Sequence, residues 1–232
     1  MSARRFARAR ASDSAPASSR KFGSTRSTSA ATASGLPELL QPARPRVYDQ
    51  LVPGRVVLLH GTSSSGKTTV ARAVQALSDE PWLRLGIDVF WSAIDERWME
   101  HGQRAPEGFL WREDALIVPG SVGERLAAGM RAAIAACARC GNDLLVDDVF
   151  LSPQWLDGWR DQLADLESLL VGVFAPLPVL EERERIRGNR ITGEARAQVD
   201  AIHAGIEYGV TVDTASQSPE ECARVILAAL DR

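Results

Sequence analysis

Short, continuous runs of apolar residues recur along most of the chain and predict buried β-strands. These runs do not alternate with polar residues, as the strands of a half-buried antiparallel sheet would. They lie at Arg55–His60, Trp82–Ile87, Asp143–Phe150, Leu169–Phe174 and Val210–Thr214. Strands of this kind are typical of a parallel sheet that helices cover on both faces.

Between the strands, apolar residues recur at spacings of three and four, which indicates amphipathic helices. The predicted helices are Lys67–Leu77, Val89–His101, Val122–Arg139, one that begins at Ser152-Pro153, Pro178–Arg187, and one that begins at the capping box Ser218–Glu221. The segment Gly102–Gly120 is rich in breakers and is predicted to be irregular. The alternation predicts an α/β fold with a five-stranded parallel sheet and helices on both faces.

The stretch Gly61–Thr68 (GTSSSGKT) carries the strongest chemical signal in the chain. It matches the phosphate-loop pattern G-x-x-x-x-G-K-[ST] and lies between a predicted strand and a predicted helix, as that loop must. Backbone N–H groups at the helix start bind phosphate, Lys67 reaches the β- and γ-phosphates in catalysis, and the Thr68 hydroxyl binds Mg²⁺. We therefore expect ATP and Mg²⁺ as cofactors, bound at a solvent-facing loop. The predicted nucleotide contacts are Gly61, Thr62, Ser63, Ser64, Ser65, Gly66, Lys67, Thr68 and Thr69.

Asp88 follows the second predicted strand and is a candidate for the catalytic base. Ligands of an open parallel sheet bind at the carboxyl ends of its strands, where the phosphate loop also lies. A carboxylate there can accept the proton of a hydroxyl that attacks the γ-phosphate. The same residue is equally suited to cap the helix predicted to begin at Val89, and the pattern does not decide between these roles.

Two further carboxylates, Asp147 and Asp148, lie near the end of the third predicted strand. An acid after an apolar strand commonly positions Mg²⁺ in phosphate-loop proteins, often through water. Successive side chains of a strand point to opposite sides, so the two acids should not share one role. We expect Asp147 to complete the metal site with Thr68. Asp148 either orients the substrate or braces the loop, and capping of the backbone near Ser152 is the alternative role for a strand-end acid.

A cluster of arginines lies in the charged helix and directly after it. Arg183 and Arg187 are four residues apart and share a helical face, whereas Arg190 follows Gly188. A closing lid that carries arginine stabilises the negative charge of a transferring phosphoryl group. Beside a phosphate loop, a lid role for this cluster is favoured over a solvated helix with Glu–Arg pairs.

The first fifty residues differ in composition from the rest of the chain. They carry nine Arg and Lys against three Asp and Glu, a net charge of +6, whereas residues 51–232 carry a net charge of −9. Rich in Ser, Ala, Thr and Arg, the segment cannot bury enough apolar surface to offset chain entropy. We predict a disordered tail and Pro-containing linker over residues 1–50 and one catalytic domain over residues 51–232. Three interpretations of the tail stay open: a transit peptide, a basic arm that contacts nucleic acid or anionic lipid, or a segment without function.

Composition and charge argue against several classes of function. No apolar run approaches the ~18 residues of a membrane-spanning helix, and the tail lacks the apolar stretch of a secretory signal. We therefore expect a cytoplasmic protein that does not contact membranes. The formal charge of −3 argues against a specific nucleic-acid partner. Three cysteines in 232 residues do not make a disulfide framework.

Together, these stretches resemble the chloramphenicol phosphotransferase family of P-loop kinases over roughly residues 54–232. The resemblance rests on Gly61–Thr68, Pro81–Asp88, Asp147–Leu151, Arg187–Arg190, Ile206–Tyr208 and Val212–Thr214. It implies a P-loop kinase fold whose phosphate-loop strand is central, beside the strand of Asp147. It also implies ATP-dependent phosphorylation of an alcohol, with Asp88 as the base and Arg187 and Arg190 as lid arginines.

The resemblance is weak between Asp88 and Gly120, where an acceptor would bind, so it supports the kinase chemistry better than the substrate. The leading hypothesis is an O-phosphotransferase that acts on a small-molecule hydroxyl, chloramphenicol-like by resemblance. A kinase of a nucleotide, a nucleotide-sugar or a sugar acid is the alternative, and an ATP-binding regulator without turnover is a third. The residues Trp91, Trp98 and Trp111 belong to the core or line an acceptor pocket, and a pocket rimmed by Trp beside Asp88 would favour an amphenicol-like alcohol.

Overall fold

The computed structural model describes residues 51–112, 117–150, 153–187, 193–199 and 202–230. All of these residues lie within one compact unit, Pro45–Arg232. The tail predicted over residues 1–50 falls outside the described residues, and so does Arg190. Within the described ranges, no helix combines the length and the apolar character that crossing a membrane requires.

Strands and helices alternate along the described chain. In order, they are β1 (Val56–His60), α1 (Lys67–Leu77), β2 (Trp82–Gly86), α2 (Ile87–Trp91), β3 (Met99–Glu100), β4 (Phe109–Trp111), β5 (Ile117–Pro119), α3 (Ser121–Arg139), β6 (Asp143–Asp148), α4 (Pro153–Gln162), β7 (Ser168–Phe174), α5 (Leu177–Arg187), α6 (Glu194–Gln198), β8 (Val210–Asp213) and α7 (Pro219–Leu230). A 3₁₀ helix, Glu96–Trp98, precedes β3.

The main sheet has the strand order β2-β6-β1-β7-β8, and all its neighbouring strands are parallel. The prediction of five parallel strands is therefore confirmed, as is the central place of β1 beside the strand of Asp147. All five residues of β1 are buried, as a strand covered on both faces requires. The capping box of α7 also forms, because Ser218 N–H donates to Glu221 Oε2 at 2.7 Å and Glu221 N–H donates to Ser218 Oγ at 3.2 Å.

Two apolar clusters cover the opposite faces of the sheet. Along β1, Val56 and Leu58 belong to the first cluster, whereas Val57 and Leu59 belong to the second. Helices α3 and α4 contribute to the first cluster, and α1 and α7 to the second. Successive strand side chains point to opposite faces, so the continuous apolar run of β1 is explained by burial on both.

The strand register brings three carboxyl ends together. His60 of β1 lies opposite Asp148 of β6, and Gly86 of β2 lies opposite Asp147. Gly86 is required here, because a Cβ atom at this position would overlap the carbonyl oxygen of Asp147. This close approach places Asp88, two residues after Gly86, beside the end of β6 and next to the phosphate loop.

The prediction of one helix over Val89–His101 is wrong. Helix α2 ends at Trp91, and Asp95 then caps the short 3₁₀ helix by accepting from Arg97 N–H at 2.9 Å. The apolar residues that suggested a helical stripe do not form one face. Ile94 packs against the first cluster, whereas Trp98 stacks under the Arg104 guanidinium at 4.3 Å. Tertiary contacts override the local helical spacing.

The segment Gly102–Gly120, predicted to be irregular, contributes strands to a second sheet. Its strand order is β3-β4-β5, with β3 and β4 parallel and β4 and β5 antiparallel. Phe109 and Trp111 of β4 are buried in the first apolar cluster and contact Trp91, with ring centroids 5.6 Å and 5.2 Å away. This small sheet therefore supports the chain that follows Asp88.

Two glycine substitutions should change stability in opposite directions. Gly86→Ala should lower the free energy of unfolding by about 1–3 kcal/mol, because the new methyl group overlaps the backbone of β6. Gly129→Ala, in the exposed interior of α3 with nothing within 4 Å of the new atom, should raise it by about 0.5–1 kcal/mol. Urea unfolding measures both values. Equal stability of Gly86→Ala and the wild type would show that β2 does not need the close approach to β6.

Candidate active site

The phosphate loop joins β1 to α1 and folds around its own lysine. Gly66 has a φ of +96°, a left-handed conformation that favours glycine, and it ends the loop at the first turn of α1. The ammonium group of Lys67 donates to the carbonyl oxygens of Gly61 and Thr62, both at 2.8 Å. Lys67 is 8% exposed, so the expectation that it lies on a solvent-facing loop is wrong.

The loop also carries buried polar groups that suit an anionic ligand. The hydroxyl oxygens of Ser63, Ser64 and Ser65 are buried and have no hydrogen-bond partner among the described residues. A buried hydroxyl without a partner is costly, and a phosphate oxygen could accept from it. Together with the ammonium group of Lys67 and the N-terminus of α1, these hydroxyls fit the phosphate groups of a nucleotide.

Thr68 and Asp147, the residues predicted to bind the metal, lie together at the carboxyl ends of β1 and β6. The Thr68 hydroxyl donates to Asp147 Oδ2 at 2.5 Å. Both groups offer the hard oxygen ligands that Mg²⁺ prefers, and the adjacent loop would bring phosphate oxygens to the same place. The residues present therefore fit a magnesium site.

Asp88 lies in the first turn of α2, where Gly86 takes the N-cap position. The predicted alternative, a cap at Asp88 for a helix beginning at Val89, does not match this geometry. Asp88 lines a cleft that also reaches the phosphate loop. The cleft residues are Ser63, Ser64, Gly66, Lys67, Thr68, Ile87, Asp88, Trp91, Ile117, Asp147, Asp148, Val149, Trp155, Arg187 and Gln198. The structure thus brings Asp88 together with Lys67, Thr68, Asp147 and Arg187.

Of the three tryptophans predicted as core or pocket residues, one lines the cleft, one belongs to the core and one does neither. Trp91 lines the cleft, whereas Trp111 is buried behind it and Trp98 lies under Arg104 outside it. Trp155 of α4 also lines the cleft, although its sequence context gives no sign of this. The wall beside Asp88 is therefore aromatic and apolar.

Asp148 braces the end of β6. Its side chain is 1% exposed, and its two oxygens accept from Val149 N–H at 2.8 Å and from Trp159 Nε1–H at 3.0 Å. Burial raises the pKa of Asp148 to about 7, although its two hydrogen bonds and the charge of Lys67 oppose the shift. These bonds hold the end of β6 against α4, and the alternative of capping near Ser152 falls outside the described residues.

Helix α5 and helix α6 hold the phosphate loop from the side. The Arg183 guanidinium donates to Thr214 Oγ1 at 2.9 Å and to the Thr214 carbonyl oxygen at 2.8 Å. Thr214 Oγ1 in turn donates to the carbonyl oxygen of Ser65 at 2.7 Å. Arg187 is exposed at the end of α5 and lines the cleft. Arg183 thus supports the loop through Thr214, and it also donates to the Ser64 carbonyl oxygen at 3.4 Å, although the arginines of the predicted site were only Arg187 and Arg190.

Gln198 is a contact of the phosphate loop that the sequence does not reveal. Its side chain is 1% exposed, and its Oε1 accepts from Ser63 N–H at 2.8 Å. Helix α6, which carries Gln198, is itself fixed to α5. The buried carboxylate of Glu184 accepts from Gly193 N–H at 2.8 Å and from Ala195 N–H at 3.1 Å, so it caps α6.

A group of histidine and aromatic rings lies directly before the phosphate loop. Phe150 N–H donates to His60 Nδ1 at 3.2 Å, so Nε2 carries the ring hydrogen and donates to the Ile202 carbonyl oxygen at 3.0 Å. Burial lowers the pKa of His60 to about 3, which keeps the ring neutral. His203 lies 5.3 Å from His60 and is hydrogen-bonded to the Tyr208 hydroxyl at 2.6 Å. The spacing of these residues in the sequence did not predict the group.

A second cleft lies on the other side of the phosphate loop. Its lining includes Val70 of α1, Arg183 and Ile186 of α5, and Thr214 and Pro219 near the end of the sheet. Ile186 is 70% exposed and adds apolar surface to this cleft. Arg187 lines both clefts, so it lies where they meet.

Comparison with known proteins places these features in one family. The sequence pattern of the family described as "Chloramphenicol phosphotransferase-like protein" matches residues 54–231. A protein found in two strains of Mycobacterium tuberculosis, whose name provisionally describes an O-phosphotransferase, is 32% identical over 179 residues; the match covers 74% of this chain and 80% of the relative.

Solved structures show the same fold. A sugar kinase from Janibacter sp. has a TM-score of 0.56 at 18% identity, covering 77% of this chain and 95% of its own. The APS kinase of Mycobacterium tuberculosis, in complex with AMPPNP and APS, has a TM-score of 0.54 at 19% identity. The match covers 78% of this chain and 99% of the APS kinase chain. At these identities the likeness shows a P-loop kinase fold, as the sequence predicts.

The raised pKa of Asp148 should appear in the pH dependence of stability. Between about pH 4 and pH 7, the native protein keeps a proton on Asp148 that the unfolded chain releases near its ordinary value of 3.8. The contribution of Asp148 to the free energy of unfolding should therefore fall as the pH rises through this window, whereas the contribution of His60, whose pKa is lowered to about 3, should rise. Because Asn does not titrate, the difference between Asp148→Asn and the wild type should move in favour of the variant by up to about 4 kcal/mol.

Urea unfolding at a series of pH values measures this difference. Asp157→Asn, which removes an exposed carboxylate from α4, controls for the loss of a surface charge. A difference between Asp148→Asn and the wild type that stays constant from pH 4 to pH 7 would contradict the assignment.

Proposed function

Since the chain belongs to the chloramphenicol phosphotransferase-like family of kinase-type phosphotransferases, we propose that it transfers the γ-phosphate of ATP to a hydroxyl group of a small molecule. One observation carries the proposal. A single cleft is lined by the lysine of the phosphate loop, by the Thr68–Asp147 pair and by Asp88. A phosphate donor, its cation and a carboxylate base would meet in this cleft.

The nucleotide occupies both clefts in this proposal. Its phosphates bind to the loop, where Lys67, Thr68, Thr69 and the serine hydroxyls contact them. Its base lies in the second cleft, where the exposed apolar surface of Ile186 and the guanidinium of Arg183 suit a flat aromatic ring. Arg187, at the junction of the clefts, then lies near the transferring group. Arg190 stays a prediction, because it falls outside the described residues.

Thr68 and Asp147 would hold the magnesium ion, Asp147 directly or through water. When bound, Mg²⁺ neutralises the negative charge that develops on the β- and γ-phosphate oxygens. The hydrogen bond between Thr68 and Asp147 fixes these two oxygen ligands before the cation arrives. The protein therefore supplies a pre-arranged pair of ligands at the point where the phosphates enter.

Asp88 acts as the general base. The acceptor oxygen attacks the γ-phosphorus, the bond to the β,γ-bridging oxygen breaks, ADP leaves, and the proton of the acceptor hydroxyl passes to Asp88. Lys67 and Arg187 stabilise the negative charge on the transferring group. Asp148 is 1% exposed and held by hydrogen bonds from Val149 and Trp159, so Asp88 is the better placed of the two acids for this role.

An alcohol with an aromatic or apolar body suits the acceptor side of the cleft. Ile87, Trp91, Ile117 and Trp155 supply its apolar lining, which supports an amphenicol-like acceptor. A coupled assay of ADP release with a panel of hydroxylated compounds, amphenicols included, tests the proposal. Release that depends on the alcohol supports it, whereas binding of ATP without such release indicates an ATP-binding regulator.

Lys67→Ala should weaken ATP binding roughly 10- to 100-fold, because it removes a charged donor to the phosphates. Titration with a fluorescent ATP analogue measures the dissociation constant, and the melting temperature shows whether the fold survives. Arg72→Ala removes an exposed cation from the same helix and should leave the binding unchanged. Wild-type affinity in Lys67→Ala would contradict the phosphate-loop assignment.

Asp88→Asn should lower kcat by ~10²–10⁴ with little change in melting temperature, because the amide keeps the shape of the side chain but cannot take a proton. The measurement uses the best acceptor found in the panel. Asp95→Asn changes a carboxylate that caps the next helical turn outside the cleft and should retain full kcat. If Asp88→Asn keeps more than about a tenth of wild-type kcat, the base is not Asp88.

A further inference from the structure

His60, the last residue of β1, holds two distant parts of the chain at once. Its ring is 0% exposed, and its Nδ1 accepts from Phe150 N–H at 3.2 Å. The other ring nitrogen, Nε2, lies 3.0 Å from the Ile202 carbonyl oxygen, which can only accept. One neutral tautomer, with the hydrogen on Nε2, therefore makes both bonds. Stacking on the Phe150 ring, with centroids 4.2 Å apart and planes 6° from parallel, fixes the orientation of the imidazole.

The bond to Ile202 leads back to the phosphate loop through Gln198. Ile202 N–H donates to the Gln198 carbonyl oxygen at 3.0 Å. The side chain of Gln198 then accepts from Ser63 N–H at 2.8 Å. Ser63 is only three residues after His60 in the chain. The first part of the phosphate loop is therefore held at both of its ends, by His60 and by Gln198, against the same segment.

These contacts reach the side of the loop where phosphoryl transfer is proposed. Gln198 is 1% exposed and lines the cleft that also contains Asp88 and Arg187. The base of the nucleotide is assigned to the other cleft, so a change at Gln198 should affect the transferring group more than nucleotide affinity. Buried hydrogen bonds are stronger than those in water, and a loop that is fixed in advance needs little reorganisation during transfer.

We infer that His60 is a positioning residue for phosphoryl transfer, which acts on the phosphate loop through Gln198. Its bond to Ile202 keeps the Gln198 side chain on the N–H group of Ser63. The competing explanation is that His60 only fills space beside Phe150. The inference rests on the proposed function, because the step that His60 positions is the proposed transfer.

Two substitutions at position 60 separate the two bonds of the ring. His60→Gln brings an amide N–H group near the place of Nε2, so it keeps the donor to Ile202 and loses the acceptor for Phe150. His60→Asn brings a carbonyl oxygen near the place of Nδ1 and does the reverse. Each variant leaves one buried backbone group without its partner, so both should lower the melting temperature to a similar extent. Turnover, rather than stability, distinguishes them.

His60→Asn should lower kcat about tenfold, as expected when one buried hydrogen bond no longer supports the transition state. His60→Gln should stay within about threefold of the wild type, because it keeps the link to Ile202. Gln198→Met removes the acceptor for Ser63 at similar volume and should also lower kcat about tenfold. The double variant of His60→Asn and Gln198→Met should be no slower than either single variant, because both changes break the same path.

The dissociation constant of a non-hydrolysable ATP analogue should change less than about threefold in each variant, which separates positioning from loss of binding. Gln75→Met is the matched control. It removes a glutamine bond to the Trp82 carbonyl oxygen, 2.7 Å long and outside both clefts, and should keep full kcat.

Hydrogen exchange of the Ser63 amide follows the same link without any turnover. Nuclear magnetic resonance of the full chain labelled with ¹⁵N measures its rate. The exchange should become about tenfold faster in His60→Asn and in Gln198→Met, because the bond that protects Ser63 is weakened or lost. It should stay slow in His60→Gln.

Equal losses of kcat in His60→Asn and His60→Gln, additive losses in the double variant, or unchanged exchange at Ser63 in His60→Asn would each overturn the inference. If the His60 variants do not fold, full kcat in Gln198→Met overturns it. ADP release without these differences overturns this inference alone. If no acceptor supports ADP release by the wild type, the proposed phosphotransfer is contradicted, and exchange at Ser63 then decides whether His60 holds the loop.

Discussion

The hydrogen bond between Thr68 and Asp147 depends on two strands that run side by side in one fixed register. Thr68 follows β1 through the phosphate loop, and Asp147 lies in β6 opposite Leu59, one residue before the end of β1. Side chains of a strand alternate between faces, so a slip of one residue would present Asp148 to Thr68 and turn Asp147 away. Asp148 would then take the place of Asp147 beside Thr68, and Asp147 would take the buried position of Asp148. The burial of β1 on both faces fixes the register, and the register decides which of the two acids meets Thr68.

Around this pair, contacts from distant parts of the chain hold the phosphate loop before any ligand binds. Arg183 and Thr214 support the carbonyl side of the loop, and Gln198 binds the N–H group of Ser63. Each contact is at least partly buried, where hydrogen bonds are stronger than in water. A loop arranged in this way needs little reorganisation when charge develops on a phosphoryl group, which is the main electrostatic contribution to catalysis.

The sequence predicts the parts of this protein that are encoded locally. The strands show as continuous apolar runs, and the phosphate loop shows as Gly61–Thr68, because glycine, lysine and threonine must stand at fixed offsets there. The helix expected over Val89–His101 fails because its apolar residues pack against different partners instead of forming one face. A periodic pattern records which residues are buried, but not the path that the backbone takes between them.

Other parts of the site depend on contacts that no local pattern encodes. His60 and Ile202 are 142 residues apart, and Gln198 and Ser63 are 135 apart. A histidine or glutamine in such a position looks the same in the sequence as one on the surface. The roles of Trp91 and Trp155 likewise become visible only when the small sheet and α4 enclose the cleft. Long-range placement, rather than residue type, distinguishes these residues.

The buried ammonium group of Lys67 has a practical consequence for following the loop in solution. Lys67 is the only lysine between residues 51 and 232, because every other basic residue there apart from histidine is an arginine. Amine-acylating reagents therefore have one side-chain target in this part of the chain, and two loop carbonyls and the surrounding protein shield it. Reaction requires the loop to open, so the rate of acylation at this site reports how often it opens. The domain thus contains its own chemical probe of phosphate-loop motion.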